Sequence, residues 1–389
     1  MTLAVQALTA MALAVPAVLA PDAAAELGVA PTRVGIWAGL AFFTAMFAGL
    51  ACGVLAGRHG PVRMLQISAA LVVLGFAMGA SAQLAWVVAC AVLLGAAHGA
   101  VNPASSMILA AAAPPGMRAM IFSIKQTGVP IGAATAGVAV PLLLQWTDWR
   151  HALLVLALAG AVLVPLIAPF RASCDRERRS DARLHLGNIA APLAEVCADR
   201  AILAMAVTSG VYSSVQTSFL TYLVSYLRLE LGYALVAAGF VFAMAQLAGV
   251  IGRILWGTVA DRWLAPHRLL ALLGIVMSAC GAVLTQFDAS WPVALVLAPC
   301  VLYGATAVGW NGVYLAEIAR LAPQGRIAIV TGGTQFFTFF GGLFGPPVFG
   351  AIVSASGSYG MGFVLFAVLP LVNALWLLAP HARTARRGA

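Results

Sequence analysis

A chain of 389 residues that is 62% hydrophobic and only 8% charged, with a mean hydropathy of +1.00, cannot fold as a water-facing globule, because such proteins are about a quarter charged. Its formal net charge of +9 is no nucleic-acid stripe, since nearly all the arginines fall in short gaps between long apolar runs. Cys52, Cys90, Cys174, Cys197, Cys280 and Cys300 lack any paired ligand spacing and mostly lie inside those runs, so neither a metal site nor a disulfide framework follows, and no cofactor is expected.

Met1 to Ala20 lacks a basic leading region and is soon followed by another apolar run, so it reads as a first membrane span, not a cleaved signal. Runs long enough to cross a bilayer, each near the ~20 residues a helix needs, occur at Leu3 to Ala20, Val34 to Ala56, Met64 to Ala80 and Leu84 to Ala113. Others follow at Ala119 to Leu144, Ala152 to Pro169, Ile202 to Leu227 and Tyr233 to Val259, then at Leu269 to Phe287, Trp291 to Ala319, Ile327 to Val353 and Met361 to Ala379. In lipid, each must be helical to pair its backbone groups. The expectation is an all-α membrane protein with 12 transmembrane helices.

Basic residues orient it. With a cytoplasmic N-terminus, the inner gaps hold 16 arginines and the outer gaps only Arg33, Arg150 and Arg228, which predicts N-in and C-in. The gap rich in Arg171, Arg176, Arg178, Arg179, Arg183 and Arg200 divides the chain. This gives a first six-helix bundle at 1–170, a cytoplasmic linker at 171–200, a second bundle at 201–380 and a basic tail at 381–389.

The bundles repeat. Asn102, Pro115, Arg118 and Gln126 align, within one position of a constant offset, with Asn311, Pro323, Arg326 and Gln335. A glycine-spaced turn with arginine, Gly252-Arg253-Ile254-Leu255-Trp256-Gly257-Thr258-Val259-Ala260-Asp261-Arg262, has a weaker copy in Gly53-Val54-Leu55-Ala56-Gly57-Arg58-His59-Gly60-Pro61-Val62-Arg63. This pattern resembles the motif between the second and third helices of major facilitator superfamily transporters. The second copy keeps its aspartate as Asp261, where the first has Gly57. The resemblance implies two pseudo-symmetric six-helix bundles around a midplane site.

Of the 21 basic residues, Lys125 and Arg253 alone fall outside the gaps, and Lys125 is the only lysine. Lys125 is seven residues from Arg118 and Arg253 eight from Asp261, so at ~1.5 Å per residue both stand roughly 10–12 Å inside the cytoplasmic boundary. The resemblance implies that the fifth and eighth helices face each other across a cavity. Two such cations about 10 Å apart repel by roughly 1.7 kcal/mol at an effective dielectric near 20. No carboxylate is evident at that depth, and an anionic substrate is the simplest missing partner. Alternatively Lys125 snorkels to the surface, and Arg253 caps carbonyls or reaches Glu317. The spacing from Arg253 to Gly257 also resembles the eighth-helix arginine of monocarboxylate transporters and oxalate:formate antiporters, which grips a carboxylate. Those carriers place their lysine on the eleventh helix, whereas Lys125 lies on the fifth.

Gln126, Asn102, Asn311, Gln335, Trp310, Tyr212 and Gln216 complete a candidate polar ring, with helix-to-helix hydrogen bonding as the competing role. His98 is a candidate proton carrier or a packing residue. Glu317 resembles the glutamate that latches the inner gate in sugar-porter-like members, with Arg262 as the partner expected here and Arg58 and Asp261 as further gate residues. The expected function is secondary active transport of a small organic anion, with a monocarboxylate favoured and protons as an optional co-substrate. A proton-driven efflux pump for amphiphilic compounds is the alternative, which cations turned outward would favour. No nucleophile–base constellation marks an enzyme. A monomeric multi-pass protein of the plasma membrane, in a bacterium the inner membrane, is expected, with lipid as its surroundings and no nucleic-acid partner.

Overall fold

The computed structural model describes residues 1–112, 124–175, 190–323 and 327–379, and these are helical apart from short connections. Pro115, Arg118, Arg326 and most of the linker and tail arginines lie outside the described residues. The chain forms two compact units, one of Met1–Leu184 with Ala234–Ala243, the other of His185–Tyr233 with Met244–Ala389.

In the first unit the long helices are α1 (Thr2–Leu27), α2 (Val34–His59), α3 (Pro61–Gly79), α4 (Leu84–Ala112), α5 (Gly128–Leu143) and α6 (Trp149–Leu166). Their starts are written locally. Pro61 opens α3, where its missing N–H costs nothing, and Asp148 caps α6 by accepting from the His151 backbone N–H at 2.9 Å. That hydrogen bond, chiefly, holds the exposed Asp148 carboxyl below its usual range. Helix α1 packs on α5, α2 on α4, and α3 on both α4 and α6. Small residues set these distances, for a Cβ on Gly95 would overlap the Ala41 carbonyl and one on Gly132 that of Ala7.

The second unit contains α7 (Arg200–Ser225), most of α8 (Leu235–Arg262), α9 (Pro266–Leu284), α10 (Val293–Ala307), α11 (Asn311–Leu321), α12 (Ile327–Ser356) and α13 (Tyr359–Leu378). Asp199 caps α7 through the Ala201 backbone N–H at 2.8 Å. Helix α9 packs on α13 and α7 on α12, where a Cβ on Gly341 would overlap the Gly210 carbonyl.

Two findings depart from the sequence reading. Among the described residues 11 helical stretches are long and apolar enough to cross a membrane, with α10 and most of α11 counting together as one, Val293–Ile318, and α7 is not among them. Thr208, Ser209, Ser213, Thr217 and Ser218 dilute its apolar character, but all five are buried, and Thr208 and Thr217 return their hydroxyls to the carbonyls of Ala204 and Ser213 at 2.8 and 2.7 Å. The tenth apolar run is also broken, between α10 and α11. At Gly309 a Cβ would come within 2.9 Å of the Trp256 ring and 3.1 Å of the Gly252 backbone, so the break lies where α8 passes against it.

Candidate functional site

In the first unit the site begins with the seating of α5. A Cβ on Gly128 would lie 2.9 Å from the Leu3 carbonyl oxygen, so α5 lies close against α1 and Lys125, one turn earlier, is carried into the unit. Lys125 is only 4% exposed, which rules out snorkelling. Its ammonium donates to Oδ1 of Asn102 on α4, a neutral acceptor, and among the described residues no carboxylate forms an ion pair with it. Because an ammonium can only donate, it also fixes the Asn102 amide, with Oδ1 toward Lys125 and the NH2 turned away. Gln126 beside it is half-buried. One turn before Asn102, the half-buried His98 has its Nδ1 buried with no hydrogen-bond partner.

The sequence reading missed Gln6. This α1 side chain is fully buried, neither amide atom has a partner, and its Cβ and Cγ lie 3.2 and 3.3 Å from where a Cβ of Gly128 would stand. A lone glutamine in an apolar run, with no counterpart in the repeat, gave only a faint signal.

In the second unit Arg253 projects from α8, half-buried, and its Nε donates to the Val308 carbonyl at 3.2 Å. Val308 lies in the break between α10 and α11, so the carbonyl-capping alternative is realised at this atom. Trp310 is fully buried and donates from Nε1 to Oε1 of Gln216 at 3.0 Å. An indole N–H can only donate, so the Gln216 amide is fixed as Asn102 is, with Oε1 toward the indole and the NH2 turned away from it. Edge contacts with Tyr212 and Tyr314, at centroid distances of 5.7 and 5.3 Å, hold the indole. Tyr212 is fully buried and its hydroxyl donates to the Leu270 carbonyl at 2.5 Å, tying α7 to α9, so what it offers is an aromatic wall. Asn311, heading α11, and Gln335 are half-buried.

A family model described as the Major Facilitator Superfamily matches residues 2–346. The chain belongs to this superfamily. A match of 25% identity to an uncharacterized MFS-type transporter of Mycobacterium tuberculosis covers 88% of this chain and 76% of the relative. The probable nitrate/nitrite transporter NarK2 of the same organism is 29% identical over 65% of this chain and 62% of its own length. Monocarboxylate transporter 13 of Rattus norvegicus is 24% identical over 68% of this chain and 60% of its own length. Among solved structures, a bacterial homologue of the human lysosomal transporter Spinster superposes with a TM-score of 0.78 at 14% identity, covering 97% of this chain and 95% of that one. This major facilitator protein is therefore a multi-pass membrane protein of the transporter fold, and its bacterial relatives suggest the inner membrane.

The residues expected at a gate are arranged differently from expectation. Glu317 is 2% exposed, but its carboxylate is paired with Arg320 on its own helix, Nε to Oε2 at 2.7 Å and Nη2 to Oε1 at 2.6 Å. Arg262 is exposed and is not the bidentate partner, because an arginine one turn along α11 meets both oxygens without crossing to another helix. The hydrogen bonds that it donates to Glu317, chiefly, hold the Arg320 guanidinium above its usual value. Arg58 is exposed at the end of α2, and the side chain of Asp261 lies outside the described residues. In the first unit, where the loop copy lacks its aspartate, the buried Asp175 accepts from the backbone N–H groups of Val62 and Arg63 at 2.8 and 3.2 Å, capping α3. Gly60, at φ 95°, makes room for it, since a Cβ there would lie 2.6 Å from Asp175 Cβ.

Proposed function

We propose that this protein is a secondary active transporter of a small organic anion, a monocarboxylate by preference, with Lys125 of the first unit and Arg253 of the second as its anion-binding cations. Asn102 and Gln126 accompany Lys125 in the first unit, Gln216, Trp310, Asn311 and Gln335 accompany Arg253 in the second, and the halves alternate access with the termini on the cytoplasmic side. The observation that carries the reading is Lys125, a buried ammonium resting on a neutral amide with no acid beside it among the described residues. A cation deep in a span costs about 2.5–3.5 kcal/mol on insertion scales, and a transported carboxylate offsets that cost. The names of two relatives, nitrate/nitrite and monocarboxylate carriers, specify anions of this size. Drug efflux is the weaker reading because it calls for cations turned outward, whereas Lys125 is buried.

The test is uptake of labelled monocarboxylates into proteoliposomes with Arg253→Lys, which keeps the charge but loses the planar fork. A fall of tenfold or more is expected. Uptake equal to wild type removes Arg253 from the site, and absence of any carboxylate uptake by wild type removes the anion reading.

A further inference from the structure

Gln6 of α1 is fully buried, and neither its Oε1 nor its Nε2 has a hydrogen-bond partner among the described residues. Its stem seats on α5, where its Cβ and Cγ come within 3.2 and 3.3 Å of the place a Cβ of Gly128 would take. Lys125 stands three residues before Gly128, on the same side of that helix. Val5, Ala100 and Val101 belong to one apolar cluster, so the turn of α1 that carries Gln6 is level with the turn of α4 that carries Asn102. A neutral amide from a third helix therefore stands beside the Lys125–Asn102 pair of the first unit.

Packing does not call for that amide. The seam of α1 on α5 is repeated by α7 on α12, for a Cβ on Gly132 would overlap the Ala7 carbonyl and one on Gly341 the Gly210 carbonyl. Ser209, just before Gly210, thus holds in the second unit the place that Gln6 holds in the first. It too is fully buried, but its hydroxyl donates to the Ala206 carbonyl at 2.7 Å and accepts from Thr338 at 3.0 Å. A short, satisfied side chain serves that seam, whereas the first unit keeps a long amide with its two N–H donors and its carbonyl acceptor unmet.

Such an amide matches a cargo that brings an acceptor and a donor side by side. The Lys125 ammonium has three donors and uses one on Asn102, so the others can hold a carboxylate. Nitrate and an unsubstituted carboxylate offer Gln6 acceptors alone, which leaves its Oε1 unpaired. A 2-oxo acid sets its carbonyl against Oε1, and turning the amide over only moves the repulsion to the carboxylate. A 2-hydroxy acid satisfies both ends. We propose that Gln6 is a specificity-determining residue of the anion site and that the cargo is a small 2-hydroxy monocarboxylate, its carboxylate accepting from Nε2 and its hydroxyl donating to Oε1. The inference rests on the anion reading above. A site that pairs a substrate hydroxyl discriminates sharply against analogues without it, because the buried group that met the hydroxyl is then left alone.

The experiment is counterflow into proteoliposomes of the full chain with labelled lactate, pyruvate and propionate. These probes share one carbon skeleton and carry a hydroxyl, a carbonyl and a methylene at the second carbon. Wild type should half-saturate with lactate at a concentration at least tenfold lower than with either analogue. Gln6→Met keeps the length of the side chain without its amide, and it should bring the three half-saturating concentrations within threefold of one another, chiefly by raising that for lactate. Gln6→Ser, the second unit's residue at this place, should lose the preference in the same way. A purely structural role would shift all three probes together. Equal half-saturation of the three probes in wild type, or a tenfold lactate preference that survives in either variant, overturns the proposal and leaves anion transport standing. Should neither variant fold, the wild-type comparison decides. Absence of counterflow with all three probes in wild type overturns the anion reading instead.

Discussion

Replacing Asn102 by leucine removes the acceptor on which the Lys125 ammonium rests, and at 4% exposure water cannot take its place. A hydrogen bond to a charged group is worth about 1.5–3 kcal/mol when its partner is left buried and unpaired. At about 2–4 °C per kcal/mol for a unit of this size, the melting temperature should fall by roughly 3–12 °C. Lys125→Met has similar length and no charge to satisfy. In that background Asn102→Leu should cost little, leaving a coupling energy of about 1–3 kcal/mol between the two positions. Fluorescence-monitored unfolding of the four detergent-solubilised proteins measures the cycle. Equal costs of Asn102→Leu with and without Lys125 would show that Asn102 serves packing alone, and the case for an unneutralised buried cation would lose its main support.

Trp310→Phe keeps the ring contacts with Tyr212 and Tyr314 but drops the N–H that orients Gln216, so it should cost about 1 kcal/mol of stability and raise the half-saturating anion concentration several-fold, read by concentration-dependent counterflow. An unchanged half-saturation would place the Gln216 amide outside the binding set. Gln6→Met replaces a fully buried, unpartnered amide by an apolar chain of similar length, and thermal unfolding should show a gain of about 1–3 kcal/mol. Loss of stability would mean that the amide is satisfied in the membrane.

The spans were legible because bilayer solvent demands long apolar runs, and Lys125 and Arg253 stood out against them as cations away from any gap. Asn102 was readable as polar and repeated, but its bond to Lys125 depends on how closely α5 seats on α1, which the small residue Gly128 permits and does not announce. The break before α11 was hidden because glycine is common in membrane helices, and only the approach of α8 at Gly252 and Gly309 makes this one a turn. Glu317 shows the opposite failure. Its i,i+3 partner Arg320 was visible in the sequence, but the motif resemblance drew attention to Arg262 instead.

The seams within the two units suggest how Arg253 came to be available. In the first, Gly95 meets Ala41 and Gly99 meets Ala45, and a Cβ on Gly49 would stand 3.2 Å from the Gly99 carbonyl oxygen. In the second, Gly304 meets Ala245 and Gly249 approaches Val308, while Arg253, at the place in α8 that Gly49 holds in α2, donates to the Val308 carbonyl. Equivalent carbonyls thus face a glycine in one unit and a guanidinium in the other, so the packing of the seam does not itself demand an arginine. Arg253→Gly restores the first unit's solution, at the roughly 0.5–1 kcal/mol that a mid-helix glycine costs relative to alanine. It should melt within a few degrees of wild type while anion uptake disappears, as measured by thermal unfolding and proteoliposome transport on the same preparation. If Arg253→Gly instead fails to fold, the guanidinium is a structural cap for the broken helix and its assignment to the anion has to be withdrawn.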